Sequence, residues 1–91
     1  MRVYAHRGAS KLAPENTLKA FNLAFEIGAD GIEFDTYQHT DGIIVFHDRT
    51  LVRRANTQGY LLSQPWDKLR TLDIGDGEQI PTLSETLDTI P

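Results

Sequence analysis

Residues Arg2 to Tyr37 leave little choice of topology, because two short alternating segments flank one with helical periodicity. Arg2-Val3-Tyr4-Ala5 alternates weakly and runs into His6-Arg7-Gly8, where glycine lets the backbone turn, which predicts a short strand with His6 at its end. Pro14 suits a first helical turn and Glu15 the positive end of a helix, and Leu18, Phe21, Ala24 and Phe25 recur at helical spacing until Gly28. Gly31 to Tyr37 then alternates with period two, which predicts a strand with Glu33, Asp35 and Tyr37 on one face and Ile32, Phe34 and Thr36 on the other. Strand, helix, strand at this separation is a parallel crossover, so the expected class is α/β with parallel first and second strands.

The second half reads differently. Asp41-Gly42 is a turn signal ahead of Ile43-Ile44-Val45-Phe46, and the gap from the preceding strand is too short for a crossover, so an antiparallel hairpin is expected. The hairpin would bring His47 back toward Asp35. Arg49 to Leu62 reads as mostly irregular, Ser63 and Pro65 as the start of a short helix through Trp66 and Leu69 toward Leu72, and Asp73 to Gln79 as a glycine-rich loop. Thr82-Leu83-Ser84-Glu85 has capping-box spacing and opens a last helix carrying Leu83, Leu87 and Ile90.

Composition narrows the function classes. With 91 residues, 40% hydrophobic and 24% charged, the chain has the make-up of one soluble globular unit. Cysteine is absent, which excludes a disulfide scaffold, a thiol nucleophile and a cysteine-based metal centre. A net charge of −4 argues against general binding to nucleic acid or an anionic membrane, so any phosphate contact must be local. No apolar run approaches the roughly 18 to 20 residues of a membrane span, and Met1 runs into Arg2-Val3-Tyr4 without an apolar leader, so the expected location is cytoplasmic.

Glu33 and Asp35 are the sharpest chemical feature. Carboxylates two apart on a strand project together, and hard oxygen ligands of this kind suit Mg²⁺ or Ca²⁺. The bland alternative is a solvated strand face. His6 and His47 each follow an apolar strand and precede a charged residue, where two imidazoles could divide acid and base roles, although a lone strand-end histidine is more often structural. Arg7 could grip a phosphate bidentately, against the alternative of a surface ion pair. Glu15 is a weaker candidate site residue, since Pro14-Glu15-Asn16-Thr17 reads first as helix-start chemistry. His39 reads as a solvated turn-tip residue, Trp66 as the anchor of a short helix, and Asp48 as a loop or cap acid.

Taken in order, His6-Arg7-Gly8, Ala13-Pro14-Glu15-Asn16-Thr17, Gly28-Ala29-Asp30 leading to Ile32-Glu33-Phe34-Asp35, Asp41-Gly42, His47-Asp48 and Ile80-Pro81-Thr82-Leu83 resemble the glycerophosphodiester phosphodiesterase family. The resemblance covers essentially the whole chain, as a partial domain over residues 1–91, and about the first third of the family's barrel. It implies the N-terminal portion of a TIM (β/α)₈ barrel, incomplete in this chain and similar to the phosphatidylinositol-specific phospholipase C fold. It further implies metal-dependent hydrolysis of small-molecule glycerophosphodiesters to glycerol 3-phosphate and an alcohol, with Mg²⁺ or Ca²⁺ as cofactor. By motif position, Glu33 and Asp35 would ligate the cation, Arg7 would contact the phosphate, and His6 and His47 would be general acid and base.

Three departures from the family pattern stand out. The later carboxylate ligand and the lysine after it would lie beyond Pro91, His39-Thr40 replaces the usual Thr-Lys pair, and four residues rather than five separate Gly42 from His47. A one-residue change inside a strand flips faces, whereas one absorbed in a turn does not. Two other readings compete: a non-catalytic or self-associating barrel fragment, and a glycosidase using Glu33 and Asp35. The second is disfavoured because strand neighbours do not flank a glycosidic bond as such carboxylates must.

Overall fold

A computed structural model describes residues 2–91; Met1, and the reading of a leaderless start that includes it, lies outside the described residues. Strand β1 (Tyr4–His6) pairs in parallel with β2 (Gly31–Glu33), with Tyr4 opposite Gly31 and His6 opposite Glu33. Helix α1 (Leu18–Glu26) makes the crossover between them, burying Ala20, Phe21 and Ala24. The Phe21 and Phe34 rings meet at 5.7 Å between centroids, tilted by 59°, which joins the helix to the chain just past β2. The expected parallel βαβ unit is therefore present.

Helix α1 begins later than its sequence suggests. Asn16 has a left-handed backbone (φ 55°), which is incompatible with helix, so the Pro14–Asn16 segment is a turn and Thr17 is the N-cap. The Thr17 hydroxyl accepts from the Ala20 N–H at 3.1 Å and donates to the Pro14 carbonyl at 2.7 Å. At its other face α1 meets the loop after β1: the Ala9 N–H donates to the Ala20 carbonyl at 3.0 Å, and a Cβ on Gly8 would lie 2.8 Å from the Ala20 Cβ.

The single strand expected over 31–37 is two strands. β2 ends at Glu33, and β3 (Thr36–His39) pairs antiparallel with β4 (Gly42–Val45) in a separate two-stranded sheet. Phe34 and Asp35 form the joint, where the chain leaves one partner for another of opposite direction; the Asp35 carbonyl already accepts from the Phe46 N–H at 3.0 Å. Tyr37 consequently packs on the core instead of sharing a face with Glu33. The hairpin loop is Thr40–Asp41, one position earlier than expected.

The core lies on one side of this hairpin. Ile44, Phe46, Leu51, Leu61, Leu69, Ile74 and Ile80 form it, with Tyr37, Trp66 and Leu72 packed against it. Arg49–Leu62 is less irregular than expected, since it holds the single-turn helix α2 (Val52–Ala55) and, at its end, a 3₁₀ turn over Leu61–Ser63. Helix α3 (Trp66–Leu69) has Pro65 as its N-cap, and Ser63 belongs to the preceding 3₁₀ turn; α4 (Leu83–Leu87) carries the expected capping box between Thr82 and Glu85. Helix α4 ends at Leu87, so Ile90, expected within it, lies beyond its end; Thr86 is its buried residue, while Leu87 and Ile90 are about half exposed.

His39 is a further correction. It is 4% exposed, with Nε2 donating to the Gln64 carbonyl at 2.8 Å and Nδ1 accepting from the Asp41 N–H at 3.2 Å. At the last position of β3 its side chain points to the core side, where the Trp66 ring lies 6.3 Å away. Among the described residues no helix is long and apolar enough to cross a membrane.

Candidate active site

The ends of β1 and β2 and the loop after β1 carry most of the candidates. Parallel register sets His6 beside Glu33, both exposed at the strand ends. Arg7 then turns sharply, with a left-handed backbone (φ 58°), and its N–H donates to the Glu33 carbonyl at 2.6 Å while its carbonyl accepts from the Asn16 N–H at 2.9 Å. A left-handed arginine is costly for an L-residue, so the surrounding bonds hold it there. The result is a guanidinium folded back over the strand ends, with Nε 3.2 Å from Asp35 Oδ2 and Nη1 3.4 Å from Glu15 Oε1.

Asp35 sits at the joint between β2 and β3 and receives a second partner, the Asn16 side-chain amide, whose Nδ2 donates to Oδ2 at 3.1 Å. Asn16 is 2% exposed, and its Oδ1 is buried with no hydrogen-bond partner. The Arg7 Nε–H is also buried and, despite its closeness to Asp35, is not aligned for a hydrogen bond. Two polar atoms beside the Asp35 carboxylate thus have unspent hydrogen-bonding capacity, the ordinary condition of a site that takes a polar ligand.

Glu15 and Asp48 are joined by a residue that sequence reasoning missed. Arg53 on α2 donates from Nη1 and Nη2 to the two oxygens of Glu15 at 3.0 and 2.7 Å, and from Nε and Nη2 to the two oxygens of Asp48 at 2.8 and 2.9 Å. Asp48 Oδ1 lies 2.8 Å from His47 Nδ1. Hydrogen bonding by Arg53 holds the Glu15 carboxyl below its usual range; Arg53 first, then His47, hold Asp48 well below it; and the two carboxylates raise the Arg53 guanidinium. His47 lies just beyond β4, exposed, with its carbonyl accepting from the Tyr37 hydroxyl at 2.8 Å. His47 is therefore linked to Asp35 through Asp48, Arg53, Glu15 and Arg7.

The donor set fits a hard divalent cation in kind. Glu33 and Asp35 offer carboxylate oxygens and the buried Asn16 Oδ1 a neutral one. Among the described residues no group of three or more His, Cys, Asp or Glu side chains comes together to hold a metal ion.

A βαβ unit with acid, arginine and histidine side chains near its strand ends has the make-up of an opening portion of a TIM (β/α)₈ barrel, a fold that gathers its functional groups at the carboxyl ends of the strands. Residues 6–91 match the profile of the glycerophosphoryl diester phosphodiesterase family, and the chain belongs to that family. It is 44% identical to the glycerophosphodiester phosphodiesterase of Caldanaerobacter subterraneus subsp. tengcongensis, over 97% of this chain and 40% of that protein. It is 39% identical to human glycerophosphodiester phosphodiesterase 1, over 91% of this chain and 28% of that protein. The structure of an Oleispira antarctica phosphodiesterase in complex with the product sn-glycerol-3-phosphate superposes with a TM-score of 0.92 at 38% identity, covering 99% of this chain and 40% of that one. The chain thus spans about two fifths, or less, of these relatives, and with two two-stranded sheets it is an α/β portion of the barrel without closure.

Proposed function

We propose that residues 1–91 form a partial catalytic domain supplying the phosphate-binding arm and two metal ligands of an enzyme that hydrolyses glycerophosphodiesters to glycerol 3-phosphate and an alcohol. The observation that carries this reading is Arg7, folded back in a left-handed turn so that its guanidinium meets Asp35 beside the strand ends that bear His6 and Glu33. A planar guanidinium suits the paired oxygens of a phosphodiester, and Glu15 sets its plane. The product named in the Oleispira antarctica complex is of the same chemistry.

In this mechanism Glu33 and Asp35 would hold Mg²⁺ or Ca²⁺, with Asn16 steadying Asp35. When bound, the cation neutralises phosphate oxygens and stabilises the charge that builds on them. His6 and His47 handle the protons, one accepting from the attacking oxygen and the other donating to the leaving oxygen, with one water consumed in the overall hydrolysis. Arg7 would hold the phosphate by its paired oxygens. The rest of a barrel would supply the remaining ligand and the loops that choose the alcohol, and a small-molecule substrate agrees with a net charge of −4 that disfavours general nucleic-acid binding.

The test uses a complete barrel headed by this chain, assayed with glycerophosphocholine. Chelation should abolish turnover and Mg²⁺ or Ca²⁺ restore it, while Glu33→Gln and His6→Ala each lower kcat by roughly 100-fold or more. Turnover that survives chelation, or wild-type kinetics in His6→Ala, would overturn the assignment.

A further inference from the structure

Arg53 is not accounted for by the reaction just described, yet it makes four side-chain hydrogen bonds to two carboxylates of the site. We propose that Arg53 is the positioning residue of this site, aligning the His47 imidazole through Asp48 and the Arg7 guanidinium through Glu15. The inference rests on the phosphodiesterase reading for its purpose, and on geometry alone for its existence.

Asp48 has only acceptor atoms when ionised, so its 2.8 Å contact to His47 Nδ1 requires the proton on Nδ1 and leaves Nε2 as the free nitrogen of the neutral ring. Because Arg53 grips both Asp48 oxygens, that carboxylate cannot rotate away from the ring. The other side of the same guanidinium grips both oxygens of Glu15, which lies 3.4 Å from Arg7 Nη1. Only a planar fork with donors on two edges can hold two carboxylates in this way; a lysine ammonium is a point donor on a flexible stem.

Arg53 is itself anchored. Leu51, two residues earlier, is 1% exposed in the core, its N–H donates to the Gly59 carbonyl at 3.0 Å, and its carbonyl accepts from the Ala55 N–H at 2.8 Å to close the α2 turn. The device therefore runs from the core, through one short helix, to both arms of the site.

Nitrogen-15 spectra of histidine-labelled chain report the tautomer directly and need no turnover. Wild-type His47 should show a protonated Nδ1 when neutral, and in Arg53→Ala the ratio of Nδ1–H to Nε2–H should fall about fivefold, the equivalent of one lost hydrogen bond. The buried His39, whose Nε2 donates to Gln64, is an internal reporter that the fold persists. If Arg53→Ala loses the His39 signature, Arg53→Lys, which keeps the charge and stem, is read by the same criterion. An unchanged His47 ratio with His39 intact overturns the proposal.

In the active barrel the two arms should separate. Asp48→Asn lowers kcat with little change in KM, Glu15→Gln raises KM with little change in kcat, and Arg53→Ala does both, by about 10- to 100-fold in kcat/KM. Wild-type kcat and KM in Arg53→Ala would also overturn it. A barrel with no phosphodiesterase activity, by contrast, would sink the proposed reaction and leave the tautomer result standing.

Discussion

Gly8 shows how a single residue fixes the site. Its φ of +80° suits glycine, and an added Cβ would stand 2.8 Å from both the Ala20 carbonyl carbon and its Cβ, with no flexible side-chain end to give way. Gly8→Ala should therefore cost roughly 2 to 4 kcal/mol, combining backbone strain with overpacking, and should shift Arg7 with it. Urea denaturation checks this: a midpoint equal to wild type would show that α1 can retreat from the loop. His39 makes the complementary point. Nothing local distinguishes it from a turn-tip histidine, and its burial follows from the Gln64 carbonyl and Trp66, which reach it from 25 and more residues away.

At the scale of elements, the most secure terminus is that of α4. Glu85 accepts from the Thr82 N–H to complete the capping box, and its two oxygens also take Arg70 Nη1 and Nη2 at 2.7 and 3.0 Å. Arg70 in turn lies over the Trp66 ring, 5.1 Å from its centroid, so α3 and α4 are clasped through one side chain. The Arg70 hydrogen bonds hold the Glu85 carboxyl down to about 2 from 4.5. Because the folded value lies below the unfolded one, this contribution to stability is complete above the unfolded pKa and is lost as pH falls from 4.5 toward 2. Arg70→Ala should lower stability at neutral pH and reduce the loss over that acidic window, as followed by denaturation midpoints across pH; an acid limb as steep as wild type would assign the loss to other carboxylates. The magnitude will be modest, since both side chains are partly exposed.

For the molecule as a whole, the open question is what covers its sheet edges. The β1–β2 and β3–β4 sheets each have two strands, and Val3, Tyr4, Leu12, Ile27 and Ile43 are all at least 39% exposed. Two-stranded sheets are marginal on their own, and uncovered apolar surface forgoes roughly 25 cal/mol per Å². Residues 1–91 expressed alone should therefore self-associate, and sedimentation velocity across a concentration series should show species heavier than 10.2 kDa that grow with concentration. A single monomeric boundary throughout would show that the hairpin core suffices.

Much of this was legible in the sequence because it depends on local pattern. The parallel βαβ unit, the α1 periodicity, the hairpin and the α4 capping box all follow from spacings of a few residues, and His6 and Glu33 end their strands, with Arg7 next after β1, for the same reason. What was not legible depends on partners distant in the chain. The break at Phe34-Asp35 exists because β2 takes β1 as its neighbour while β3 takes β4, a choice invisible to an alternation that runs unbroken through both strands. Arg53 reaches Glu15 across 38 positions, and Asn16 reaches Asp35 across 19. Periodicity records which face a residue occupies, but the partner of a charged group on that face is settled only when the crossover and the hairpin bring separate loops to one rim.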